Sequence, residues 1–256
     1  MNVQELFSLE GRVAVVTGAS RGLGRAIAEG LASAGANVVM AARNAEMLQQ
    51  AATEVAEATG REALAVPTDV TKRDQVERMV AQTLQTFGRL DILINNAGMA
   101  IRKPVVDFTD EEWQTVIDNN LTGTMLCCRA AAPAMIERKW GRIVNFGSTM
   151  AAVTLPGRSA YSAAKAAILM FTKALALELA PHRVHVNAIC PGPFHTSTTR
   201  PAPEPPGVVT WPIERVPLLR VGDPKEIVGP VLLLSSQASS FITGSVLYVD
   251  GGWTAQ

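Results

Sequence analysis

The 256-residue chain has only three cysteines, Cys127, Cys128 and Cys190, two of them adjacent and none in a CxxC spacing. That excludes a disulfide framework and a thiolate metal site, and it suits a reducing cytoplasm. Net charge is missing as well. Lysine plus arginine and aspartate plus glutamate both number 23, so no global field draws the chain to nucleic acid or to an anionic membrane. No stretch approaches the ~18 uncharged apolar residues of a membrane span, and Lys173 and Glu178 interrupt the most apolar helical pattern. The opening segment has no basic region and reaches its first apolar run only at Val13, so it is not expected to be a signal peptide. What is abundant is apolar character: 48% hydrophobic against 18% charged residues, the balance of a globular interior.

Short β-branched runs alternate with longer helical patterns. Residues 12–17, 37–42, 63–68, 91–96, 142–148, 184–190 and 245–250 read as strands, most of them apolar throughout, as strands covered on both faces are. Helical patterns occupy 22–34, 45–58, 72–87, 110–138, 159–180 and 224–236. This alternation predicts an α/β fold with a doubly wound, seven-stranded parallel sheet and helices on both faces. No linker divides the chain, so one domain is expected over 1–256. Residues 191–222 stand apart, because eight prolines there forbid ordinary ladders and long helices. Leaving the carboxyl end of a strand, this segment reads as a substrate-binding lid.

After the first strand comes TGASRGLG: Thr17, Gly18, Ala19, Ser20, Arg21, Gly22, Leu23, Gly24. It runs directly into a helix. Glycines allow a tight turn and close backbone approach to a pyrophosphate, and a helix N-terminus offers free N–H groups. The spacing is GxxxGxG rather than GxGxxG, but it sits at the first strand–helix junction of an alternating pattern, where a dinucleotide binds. The second strand ends VVMAARN, with Ala42 where a carboxylate would meet a ribose 2′-hydroxyl and Arg43 beside it. Arg21 can reach the same place from the glycine turn. Two arginines and no acid predict NADPH/NADP+ rather than NADH.

In YSAAK, Tyr161 and Lys165 are four apart and share one side of an otherwise apolar helix. An isolated pair of this kind reads as a lysine lying over a tyrosine ring at the surface. The rest of the chain gives it another meaning.

Over about residues 8 to 252 the sequence resembles the short-chain dehydrogenases/reductases. The motifs occur in that family's order: TGASRGLG at 17–24, Asp69 after the third strand, NNAG at 95–98, Asn120 in NNLTG, Ser148 ending the fifth strand, Tyr161 with Lys165, and PG at 191–192 with Thr196. The resemblance implies a Rossmann fold and hydride transfer between a nicotinamide and a carbonyl or alcohol. It makes Tyr161 the acid/base. A free phenol has a pKa near ~10; the adjacent Lys165 ammonium and the nicotinamide ring are expected to lower it. Lys165 would also hold the nicotinamide ribose. Ser148 would donate to the substrate oxygen, and Asn120 would hold a water linking Lys165 to solvent. Asn96, Ala97 and Gly98 would line the adenosine side, with Asp69 and Val70 at the adenine. Pro191, Gly192, Phe194 and Thr196 would flank the nicotinamide and its phosphate.

The resemblance implies a small carbonyl or alcohol as substrate. IRKP at 101–104, CPGPFHT at 190–196 and the tail VDGGWTAQ look most like the gluconate 5-dehydrogenase branch, with 3-oxoacyl-carrier-protein reductases close behind. Arg102 could then meet the carboxylate or hydroxyls of a sugar acid, and His195 could touch the substrate. Met99, Met150 and Trp211 would instead leave room for a hydrophobic ketone. A catalytically silent NADP(H) sensor would keep the glycine turn but has no use for Asn120, Ser148, Tyr161 and Lys165 together. Members of the family usually form tetramers through the helices at 110–138 and 159–180. Ala130 to Ala132, Ala163, Ala164 and Ala166 look exposed there, so a homotetramer is expected.

Overall fold

Seven parallel strands form one sheet: Val13–Thr17 (β1), Asn37–Ala42 (β2), Ala63–Pro67 (β3), Ile92–Asn95 (β4), Gly141–Phe146 (β5), Val184–Pro191 (β6) and Val246–Val249 (β7). Their order is β3-β2-β1-β4-β5-β6-β7 and every pairing is parallel. The structure is a computed structural model that describes residues 2–195 and 213–255.

The strands look uniformly apolar in sequence because alternate residues enter two different cores. Ala14, Val16, Val38, Met40, Ile92 and Ile94 face Gly22–Ser33 (α2), Ala45–Thr59 (α3) and Val228–Ser235 (α8). Val13, Val15, Val39, Ala41, Leu93 and Ile143 face Arg73–Phe87 (α4), Gly123–Arg138 (α6) and Ser159–Leu179 (α7). A short helix, Val3–Phe7 (α1), precedes β1, and Asp110–Ile117 (α5) leads towards α6. The cluster Thr109–Glu112 caps α5 reciprocally, side chain to backbone at both ends. Both α3 and α4 stop at a left-handed glycine, Gly60 and Gly88. At the amino end of the sheet the buried carboxylate of Asp91 accepts from Arg89 Nε at 2.6 Å and from the Val13 N–H at 2.9 Å. That ion pair serves the fold, and the site lies at the other end.

Several expectations need correcting. The helix expected over 110–138 is broken by a π-helical turn, Asp118–Thr122, in which Gly123 N–H reaches back five residues to Asp118 O. The helix expected over 224–236 begins as a 3-10 turn, Pro224–Ile227, because Asp223 caps it and proline occupies its first position. The helix α1 was not foreseen: it is five residues long and buries none of them, so it has no apolar period to detect. Ala131, Ala132 and Ala164 are buried in this chain rather than exposed, and Ala130 is half-buried; Ala163 and Ala166 are exposed. The two ends of the proline-rich segment meet in a short bridge, with His195 N–H to Gly222 O and Gly222 N–H to Pro193 O both at 2.9 Å. Thr196, Trp211 and most of the expected lid lie outside the described residues. Among the described residues no helix is long and apolar enough to cross a membrane.

Candidate active site

Neighbours β1 and β4 send their chains to different faces, β1 into α2 and β4 towards α5 and α6. Such a switch point opens a crevice at the carboxyl ends of the strands. Here it is a cleft of about 800 Å³ lined from β1, β2, β4, β5 and β6.

At one end is the glycine turn. Gly18 and Gly22 both adopt left-handed backbone, φ 67° and 57°, which glycine reaches without strain. Gly24 is demanded by space instead: a Cβ there would stand 2.2 Å from Gly18 O and 2.6 Å from Asn96 Nδ2. The turn is fastened to β4 by side chains. Thr17 Oγ1 accepts from the N–H groups of Asn96 and Ala97 at 3.1 and 3.0 Å, while Asn96 Nδ2 donates to Thr17 O at 3.0 Å and Gly18 O at 3.3 Å. No side chain caps α2, whose first turn opens on the cleft. Arg21 and Arg43 are exposed, both line the cleft, and neither is held in an ion pair among the described residues. Ala42 also lines it, so no carboxylate stands at the end of β2. Asp69 Oδ1 is engaged by Thr71, N–H at 3.0 Å and hydroxyl at 2.8 Å, which fixes the turn carrying Val70.

At the other end Ser148, Tyr161 and Lys165 come together. Ser148 follows β5 and is 4% exposed; its Oγ accepts the Met150 N–H at 3.1 Å. The hydroxyl's own proton therefore remains available to donate. Helix α7, which carries Tyr161 and Lys165, is pinned to the sheet by a buried polar chain. Asn95 Nδ2 donates to Asn145 Oδ1 and Asn145 Nδ2 to Thr172 Oγ1, each at 2.9 Å. Lys165, also 4% exposed, adds a bond of 2.7 Å to Phe146 O, and its Nζ lies 5.7 Å from the Tyr161 ring centroid. Asn120 sits in the π turn with Nδ2 donating to Met99 O at 2.7 Å and Val116 O at 2.8 Å. That leaves its buried Oδ1 without a protein partner. A Cβ on Gly98 would meet that oxygen at 2.5 Å and Lys165 Nζ at 3.4 Å, so the two polar groups converge on one point.

Burial acts on the two titratable groups in the direction of their neutral forms. It lowers the Lys165 ammonium from 10.5 to about 8. It raises the Tyr161 phenol above 10, against the opposing pull of Ser148 hydrogen bonding and of the Arg158 and Arg102 guanidiniums. The cations that oppose this rise most are Arg158 and Arg102. Behind Ser148 the Cys190 thiol is pushed up to about 11 by burial, so it stays protonated and inert at neutral pH.

The cleft lining gathers every anticipated residue among the described ones except His195: Gly18, Ser20 to Gly24, Arg43, Asp69 with Val70, Asn96 to Gly98, Asn120, Ser148, Tyr161, Lys165, and Pro191, Gly192 and Phe194. Met150 and Arg102 line it too. His195 is exposed and points its backbone, not a cleft-lining side chain, at Gly222. Thr196 falls outside the described residues. Sequence reasoning missed Arg158, 4% exposed and part of the lining. Its signal was an arginine three residues before the tyrosine, easily taken for a helix-capping charge. It also missed Thr17, whose hydroxyl is indistinguishable in sequence from any strand-end threonine.

A doubly wound α/β sheet with a ligand cleft at its switch point defines the class, and comparison with known proteins narrows it. A family model described as enoyl-(acyl carrier protein) reductase matches residues 18–254. Gluconate 5-dehydrogenase of Gluconobacter oxydans is 41% identical over 254 residues, covering 99% of each chain. The 3-oxoacyl-[acyl-carrier-protein] reductase of Synechocystis is 40% identical over 246 residues, 96% of this chain and 98% of that one. A crystal structure of a putative NAD(P)-dependent gluconate 5-dehydrogenase from Beutenbergia cavernae with bound NADP superposes with a TM-score of 0.91 at 37% identity, covering 98% and 100% of the two chains. The chain belongs to the short-chain dehydrogenase/reductase family. It is an oxidoreductase acting between CH–OH and C=O groups, in a family that uses a nicotinamide cofactor.

The depressed Lys165 has a measurable consequence. Between about pH 8 and the ordinary lysine value of 10.5 the folded chain has shed a proton that the unfolded chain still holds. Stability therefore rises with pH across that window, because the unfolded state binds more protons. The stability of the wild type minus that of Lys165→Met, from urea unfolding, should increase by ~2 kcal/mol from about pH 8 to about pH 10. A flat difference would show that the ammonium is not desolvated.

Proposed function

We propose that the protein is an NADP(H)-dependent oxidoreductase interconverting a ketone and a secondary alcohol, with Tyr161 as its acid/base. The observation that carries this reading is the meeting of Ser148, Tyr161 and Lys165 at one end of a cleft whose other end presents Arg21 and Arg43. The residues fit the cofactor. Left-handed Gly18 and Gly22, with Ser20, Leu23 and Gly24 at an uncapped helix start, suit a pyrophosphate. Arg21 and Arg43, with Ala42 in place of an acid, suit a 2′-phosphate. Asp69 and Val70 would hold the adenine, Asn96 to Gly98 the adenosine side, and Pro191, Gly192 and Phe194 the nicotinamide end. Thr196 would join them. When bound, the nicotinamide supplies or takes up a hydride.

The chain's own residues handle the proton. In reduction Tyr161 gives its phenolic proton to the carbonyl oxygen as Ser148 donates a hydrogen bond to that oxygen, and an alcohol results; oxidation runs in reverse. Lys165 keeps two N–H donors beyond its bond to Phe146 O for the cofactor ribose. Asn120 Oδ1, buried and without a protein partner, would accept from a water that passes protons towards Lys165.

Arg102 in the lining supports a sugar acid or polyol as substrate. A 3-oxoacyl thioester is the second reading, supported by the apolar Met99 and Met150 that also line the cleft. Comparing kcat/KM for 5-ketogluconate and an acetoacetyl thioester decides between them. If the wild type binds NADPH yet oxidises none with any ketone, the chain is a nucleotide sensor instead. We place it in the cytoplasm, where its free buried Cys127, Cys128 and Cys190 stay reduced.

A homotetramer is the assembly we propose. Ala163, Ala166, Met170 and Leu177 lie at helical spacing on α7, and Met170 and Leu177 are 65% and 79% exposed. Light scattering at micromolar concentration should report four chains; a monomer would overturn this.

Replacing Tyr161 by Phe should cut kcat by roughly 10²–10⁴-fold, the usual worth of a positioned acid, with NADPH affinity nearly unchanged. Retained turnover would remove Tyr161 from the mechanism. The double variant Arg21→Ala/Arg43→Ala should weaken NADPH binding by at least ~10-fold and spare NADH, on the scale of charge-assisted hydrogen bonds. A wild type that prefers NADH in a direct titration would sink the cofactor assignment.

A further inference from the structure

Two loops close over the substrate end of the cleft, and each carries an arginine. The loop after β4 contributes Arg102, and the turn before α7 contributes Arg158. They are joined by one backbone bond between their next neighbours, Lys103 N–H to Gly157 O at 3.2 Å. Gly157 adopts φ 77° there, a conformation glycine takes without strain. Lys103 is in turn anchored away from the cleft by its ion pair with Glu112. Arg102 and Arg158 therefore flank the same lip, and both line the cleft with Ser148, Met150 and Tyr161. Arg158 is 4% exposed, so its guanidinium is largely desolvated.

We propose that Arg158, together with Arg102, is the specificity element for a carboxylate on the substrate, so that the protein selects acidic ketones and hydroxy acids over neutral ones. This rests on the proposed reduction of a ketone at Tyr161 and deepens its sugar-acid reading by naming Arg158 as a holder of the acid group. The chemistry is that of a planar fork with five donors meeting a carboxylate in two parallel bonds, which neither water nor a neutral ester can match. Five donors per guanidinium also allow a protein partner and a substrate oxygen at once. Both arginines share the cleft lining with Ser148 and Tyr161, so a carboxylate held by them and a carbonyl held by Ser148 and Tyr161 can belong to one small substrate.

The test compares acetoacetate with its ethyl ester, a pair matched at the ketone and differing in the charge. The wild type should favour the acid in kcat/KM. In Arg158→Gln the ratio of acid to ester should fall at least ~10-fold, mainly through KM for the acid, whereas Arg158→Lys should recover part of it. Using a ratio cancels any loss common to both substrates. Arg102→Gln should shift the ratio in the same direction, and serves if Arg158→Gln fails to fold. A wild type that prefers the ester, or variants that lose both substrates equally, would overturn the proposal. Calorimetric titration of acetoacetate into the NADP+-loaded protein separates the two readings. If neither ketone turns over, the ketone-reductase reading fails, and Arg158 still stands as a carboxylate site only if acetoacetate binds the wild type at least ~10-fold tighter than Arg158→Gln.

Discussion

The site rests on a gap that the sheet cannot close with its own backbone. Strands β1 and β4 pair in register as far as Val16 and Ile94, and beyond that point their chains part to opposite faces. The ladder that holds the sheet together stops there, and polar backbone groups at the mouth need other partners. Two side chains supply them. Thr17 takes the N–H groups of Asn96 and Ala97, and Asn96 answers with bonds to the carbonyls of Thr17 and Gly18. The glycine turn is therefore braced from the β4 side. Gly24 packs so tightly against that brace that it has no room for a methyl group.

At the other end of the cleft a low dielectric acts on both titratable groups. Burial lowers Lys165 and raises Tyr161, so each is driven towards neutrality. A lysine with a pKa of about 8 cannot serve as a constant positive neighbour through the alkaline range in which alcohols are readily oxidised. Arginine can, because its guanidinium does not deprotonate at accessible pH. Arg158 and Arg102 accordingly oppose the rise that burial imposes on the phenol.

Much of this was legible in the sequence. Seven β-branched runs gave the seven strands, because burial on both faces leaves an unbroken apolar signature that polar loops cannot imitate. The glycine turn and YxxxK were legible because each has fixed spacing along one local element. What escaped depended on distance in the fold. Arg158 matters through the crossing of two loops at Lys103 and Gly157, which no local pattern reports. His195 is exposed, with its N–H bonded to Gly222 O, a pairing 27 residues away that the local PGPF pattern does not report. Ala131, Ala132 and Ala164 were misjudged, while Ala163 and Ala166 were not, because an alanine reads the same on an inner and an outer helix face.

The π turn at Asp118–Thr122 shows how two separate local departures make one feature. In a regular α-helix the Val116 carbonyl would be taken by the backbone N–H of residue 120. The widened turn leaves that carbonyl to the Asn120 side chain at 2.8 Å, and a second bond to Met99 O fixes the amide's orientation. Both donors of the amide are then spent, so its oxygen must face the other way, towards Lys165. It can come that close only because residue 98 is glycine: any side chain would occupy the space where Asn120 Oδ1 sits. Gly98 is thus required by volume rather than by backbone angle, unlike Gly18 and Gly22. A glycine in a loop and a slipped hydrogen bond in a helix, 20 residues apart in the chain, together aim one buried acceptor at one buried ammonium.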